Sequence, residues 1–139
     1  MLEELQRRAT TDEVALRVGV VVANNDAVLM LEHEEHAEGR SPLHLPGTVV
    51  RAGETLASAV VRAVREETGL AVTDIVRHLG SFEYLSAAGK PVRREHFAAE
   101  VATAGPVRVT NYADYRWVPL TGELPVTQSV RRILMTYQE

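Results

Sequence analysis

The chain contains no cysteine, which excludes a disulfide framework, a thiolate metal site and a cysteine nucleophile. It also lacks an excess of positive charge. With a net charge of -4 it is not built to bind a nucleic acid polymer or an anionic membrane through a broad basic surface, although a nucleotide as a small molecule is compatible with it. Long apolar runs are missing, so no stretch is read as spanning a bilayer, and no signal-peptide pattern opens the sequence. A cytoplasmic protein is the expectation. Internal repeats and low-complexity segments are absent too, and a length of 139 residues is read as one domain over 1–139 with a single sizeable core.

What is present is an alternation of strand and helix patterns. The first nine residues, MLEELQRRA, are charged and helix-permissive and are read as a loose lead-in turn. Over residues 14–23 the even positions Val14, Leu16, Val18, Val20 and Val22 are all apolar, which predicts a strand with one buried face. Asn24-Asn25-Asp26 is a turn signal, and a strand over 27–31 returns from it as a hairpin. Residues 32–44 are polar and hold His33 and His36. The zinc-protease spacing would need a second histidine at position 37, which is alanine, so this segment reads as a solvated loop next to the site. Beyond residue 70, strands are expected over 71–85 and 92–103 with a turn at 87–90 between them, followed by a loop over 104–114. A strand at 115–120 places Trp117 in the core, and Val126, Val130, Ile133, Leu134 and Tyr137 recur at helical spacing after Pro125.

The stretch around which this pattern is arranged is LPGTVVRAGETLASAVVRAVREETGL, residues 45–70. Thr55 is positioned to cap a helix rich in Ala, Val and Leu, and Gly69 to end it in a left-handed conformation, with Leu70 folding back onto Val64. On that helix positions 63, 66 and 67 share an arc of about 100°. Glu66 and Glu67 are adjacent carboxylates that repel unless a hard divalent cation neutralises them; the alternative is a solvated acidic face.

Spacing distinguishes the two. The stretch resembles a Nudix box, the signature of the Nudix hydrolases, laid over residues 48–70 with Glu54, Arg62, Val64, Glu66, Glu67, Gly69 and Leu70 at the motif positions and Leu45-Pro46-Gly47 leading in. Two positions depart from it: Thr48 replaces the opening glycine, and Ala63 replaces the glutamate that follows the arginine. The resemblance implies an α/β/α sandwich with a mixed sheet. It also implies Mg²⁺ or Mn²⁺ held by Glu66, Glu67 and the Gly47 carbonyl, with Arg62 orienting the box carboxylates and Glu54 as its partner. An acidic residue outside the box often completes the metal site in this family; Glu100 is the first candidate, Glu95 the second and Asp114 a third. Glu95, His96 and Glu100 are otherwise read as exposed strand positions.

Two functions follow from the resemblance. One is hydrolysis of a nucleoside diphosphate linked to another group, with the base supplied by Glu67, Glu100, Glu95 or His96 in place of the missing glutamate. The other is a degenerate-box module that binds a small nucleotide-type ligand without turnover, for which Ala63 is the support. The proline expected of the ADP-ribose subgroup is absent, as Leu85 and Ser86 fill that region, and no coenzyme A or NADH signature is present. Tyr84 lies near the position of the tyrosine that marks dinucleoside polyphosphate hydrolases without matching it. Many members of the family are dimers, so a homodimer is admitted.

Overall fold

The computed structural model describes residues 1–33 and 42–139. His36 lies outside the described residues. Helix α1 (Leu2–Thr11) leads into β1 (Ala15–Asn24) and β2 (Ala27–Glu32). After these come β3 (Leu43–His44), β4 (Gly47–Val49) and α2 (Leu56–Thr68). The long hairpin β5 (Val72–Leu85) and β6 (Pro91–Val101), then β7 (Asp114–Pro119) and α3 (Gln128–Gln138), complete the chain.

The strands form one mixed sheet in the order β3-β2-β1-β6-β5, with β4 added to β1 and β7 to β2. Among the described strands only β1 and β6 run parallel, in a register that sets Arg17 beside Arg94 and Gly19 beside His96. Each face of the sheet is closed by helix. On one, Val18, Val20 and Val22 of β1 pack with Leu56, Ala59, Val60 and Val64 of α2 and Leu5 of α1. On the other, Val21 meets Val130, Ile133 and Leu134 of α3. This is the α/β/α sandwich expected, with one difference in β1. The strand is buried on both faces at its centre, because α3 covers the side that the alternation of residues 14–23 leaves open.

Helix α2 is locally specified. The Thr55 hydroxyl accepts from the Ser58 N–H at 3.1 Å, and Gly69 ends the helix at φ 74° with its N–H on the Arg65 carbonyl, so both ends satisfy groups a helix otherwise leaves unpaired. Leu70 and Val64 lie in the same core cluster, as anticipated.

The lead-in turn expected of residues 1–9 is a ten-residue helix instead. Its order comes from tertiary contact: Leu5 and Ala9 are buried, and the Gln6 side chain bonds the box backbone twice, donating to the Glu54 carbonyl at 2.9 Å and accepting from the Leu56 N–H at 3.1 Å. Gln6→Ala removes both bonds and is expected to lower stability by about 1–2 kcal/mol. A urea midpoint unchanged by the substitution would show that this amide does not hold α1 to the box.

Candidate active site

Arg62 is the hub of the box. Its side chain is 9% exposed, and it donates to both Glu54 oxygens, Nε to Oε2 at 2.7 Å and Nη2 to Oε1 at 2.8 Å. It also donates to the Val49 carbonyl at 2.7 Å and to Glu66 Oε1 at 3.2 Å. One planar fork therefore joins α2, the loop before it and the end of β4, a geometry lysine could not reproduce. The hydrogen bond from Arg62, followed by the Arg51 N–H, holds the Glu54 carboxyl down at about 2.

One turn further, Glu67 Oε1 accepts the Gly47 N–H at 2.7 Å, fastening the end of α2 to the β4 loop. Burial pushes the Glu67 carboxyl up, against the pull of that N–H and of the Arg94 and Arg17 charges. The segment after β6 covers the same helix end: Arg108 N–H bonds the Thr68 carbonyl at 2.9 Å and Thr110 N–H the Glu67 carbonyl at 3.2 Å. This brings Tyr112 within the field of Glu67, which together with burial raises its phenol. Tyr112 stacks on His33 with ring centroids 4.7 Å apart, and His33 meets His44 edge-on at 4.5 Å.

The remaining candidates separate. Ala63 is 1% exposed and belongs to the apolar core beside Val60 and Val64, whereas the Glu66 side chain is half-exposed. Glu100 is not brought to the box. It lies near the far end of β6, paired with Asp74 and bordering the Asn24-Asp26 turn, four residues beyond the position level with Gly19 and Gly47. Glu95 and His96 are buried rather than exposed. Glu95 Oε1 lies 2.8 Å from His78 Nε2, and the buried His96 ring packs over Gly19, near the backbone of Gly80 and Arg94. Burial, and then the Arg94 charge, lower His96 to about 3. Asp114 is exposed at the start of β7, where its carboxylate accepts the Tyr115 N–H. Trp117 is half-buried against the α2-side core.

Arg17, Arg94 and Tyr112 were not singled out by spacing. Arg17 and Arg94 sit in alternations that read as ordinary exposed strand, and Tyr112 lies in a loop. Their signal is the register of β1 on β6 together with Gly19 and Gly47, which leave room for the Arg94 guanidinium.

Among the described residues no group of three or more acidic or histidine side chains is gathered for a metal. The donors at the box are Glu66 and Glu67. Two hard carboxylates suit a Mg²⁺ ion that keeps waters and takes its other ligands from a phosphate, and the buried, raised carboxyl of Glu67 is a group that such a charge would stabilise.

This arrangement is an α/β/α sandwich, a mixed sheet between helices, with a capped acidic helix tied through arginine to its own leading loop. The NUDIX domain model matches residues 14–135, and the chain belongs to that family. Among curated proteins no match is found. Among solved structures, the MutT NUDIX hydrolase from Burkholderia pseudomallei shares 23% identity at a TM-score of 0.71, over 88% of this chain and 96% of that one. The NUDIX domain of Shewanella oneidensis NrtR, complexed with ADP ribose, shares 19% identity at 0.69, over 90% and 86%. A C. elegans Ap4A hydrolase binary complex shares 19% at 0.69, over 90% and 96%.

Two pH effects of the same sign follow. Glu54 has a folded pKa near 2 against an ordinary 4.5, so its contribution to stability is complete above 4.5 and disappears as pH falls towards 2. His96 is held neutral, near 3 against 6.5, so the unfolded chain takes up its proton first and stability falls from 6.5 downward. The melting temperature should therefore decline in two stages on acidification, and Glu54→Gln should flatten the lower one while lowering the value at neutral pH. Arg62→Met, which leaves Glu54 unpaired, should cost about 3–5 kcal/mol in chemical unfolding.

Proposed function

We propose that the whole chain acts as one NUDIX hydrolase domain on a small nucleotide-type substrate, cleaving the pyrophosphate of a nucleoside diphosphate linked to another group. The observation that carries this reading is Glu67, a half-buried carboxylate with a raised pKa, fixed at the Gly47 loop and faced by Arg94, Arg17 and Tyr112. The similar folds whose structures hold ADP ribose or belong to an Ap4A hydrolase support a nucleotide in this place.

Mg²⁺ or Mn²⁺, held by Glu66, Glu67 and the Gly47 carbonyl, would supply polarisation of the phosphoryl oxygens. The protein's own part is positional and basic. Glu67 Oε1 is committed to the Gly47 N–H, which leaves the second oxygen to meet an attacking water. The water oxygen bonds to phosphorus as its proton passes to Glu67, and the bridging P–O bond breaks with its electron pair on the departing phosphate. Burial raises the Glu67 carboxyl, which makes it the stronger base. Glu95 is engaged by His78 and Glu100 stands away from the box, so neither serves as the base. Arg62 and Glu54 act by position, keeping α2 and its loop in register.

A second reading, a module that binds the ligand without turnover, is favoured by the burial of Ala63 in the apolar core, which leaves no carboxylate at that position. A panel of nucleoside triphosphates, nucleotide sugars, ADP-ribose and dinucleoside polyphosphates, with Mg²⁺ or Mn²⁺, decides between the two. Metal-dependent turnover that falls by about 10²-fold or more in Glu67→Gln is the expected result. Equal turnover in native and variant chains would remove Glu67 from the chemistry. Thermal stabilisation by a panel member with no product would establish the binding module.

A further inference from the structure

Arg93 and Arg94 are neighbours in sequence with opposite fates. Arg93 turns to the α1 side, where Asp12 at 2.7 Å and Glu83 at 3.0 Å accept its guanidinium. Arg94 turns to the other face and bonds no carboxylate among the described residues. Its Nε is buried with no hydrogen-bond partner among the described residues, and its Nη2 reaches only the Leu45 carbonyl, at 3.5 Å. A buried cation left this way is costly, and an apolar side chain of similar length would fill the space without the cost.

The backbone is nevertheless shaped to keep it there. Gly19 of β1 and Gly47 of β4 are paired with each other across the strands, and a Cβ on either would strike Arg94. At Gly19 the clash is first with the His96 ring, at 2.6 Å, and then with Arg94 Nε at 2.8 Å; at Gly47 it is with Nη2 and the Val18 carbonyl. Beside it in the parallel register stands Arg17, which has no ion pair among the described residues. The one carboxylate whose charge reaches both is Glu67, already bonded to Gly47. Glu54 and Glu66 are engaged by Arg62. Among the described residues two guanidiniums thus share the field of a single carboxylate, which leaves positive charge that an anion would balance. Tyr84, Tyr112 and His96 are the other titratable groups in the field of Arg94, and none of them is a carboxylate.

We propose that Arg94 and Arg17 bind pyrophosphate directly, without a divalent cation. The inference rests on the reading above in placing phosphate at this site, and goes beyond it in making the first contact independent of metal. Guanidinium forks match phosphate oxygens in pairs, and the Gly19-Gly47 slot holds one fork in place before the ligand arrives.

Titration calorimetry with inorganic pyrophosphate in excess EDTA tests it on the full chain. Native protein should bind, Arg94→Met should bind on the order of ten- to a hundred-fold more weakly while melting no lower than native, and Arg17→Gln should lose affinity as well. Glu67→Gln, which removes the opposing charge, should bind pyrophosphate in EDTA at least as tightly as native while losing metal-dependent turnover. Absence of binding by native protein in EDTA, or binding that neither Arg94→Met nor Arg17→Gln weakens, would overturn the proposal. Metal-dependent turnover by the same native preparation would show that the hydrolase reading stands apart from that failure.

Discussion

The fork of Arg62 is the interaction on which the rest of the site depends. It is buried, it spends its donors on Glu54, Val49 and Glu66, and those acceptors belong to a loop, a strand and a helix that this one side chain joins. Because burying a guanidinium is unfavourable unless its acceptors are in place, the arrangement is all or none: either the loop wraps α2 in this register or the charge is stranded. The Glu67 bond to Gly47 then becomes possible one turn later, and the segment from Arg108 to Tyr112 can seal the helix end.

The consequence is a division of charge along one helix face. Glu54 is answered by Arg62 and contributes structure, and half-exposed Glu66 keeps one bond from Arg62 and is otherwise open to a cation. Among the described residues Glu67 is answered by a backbone N–H and by two arginines that do not bond it. A carboxylate that is partly desolvated and incompletely neutralised suits the base proposed for Glu67, and it shares the field of Arg94 and Arg17, the groups proposed to hold phosphate. Burial of Ala63 fits the same division, since the helix face at that position has been given to the core.

Local features of the fold were legible in the residues. Thr55, Gly69 and the apolar spacing between them specify α2 at both ends, and the valines at even positions of β1 specify one core face. What could not be read was whatever depends on elements distant in sequence. The burial of Val21 requires α3, and the order of residues 2–11 requires Gln6 to find a loop 48 residues away. In the site, Arg62, Glu54 and Glu67 follow from fixed spacing within one segment, while Arg94 and Arg17 meet only through the parallel pairing of β1 with β6, a relation no local pattern encodes. Glu100 illustrates the converse: a carboxylate on the correct strand lies too far along it, because strand rise separates residues that composition treats alike.

Paramagnetic broadening of the phosphorus resonance of inorganic pyrophosphate by Mn²⁺ reports most directly on whether Glu67 is where cation and phosphate meet. The account predicts strong broadening in the native protein and its loss in Glu67→Gln, with the ligand still bound. Equal broadening in the two proteins would contradict it and would place the metal and the phosphate elsewhere on the chain.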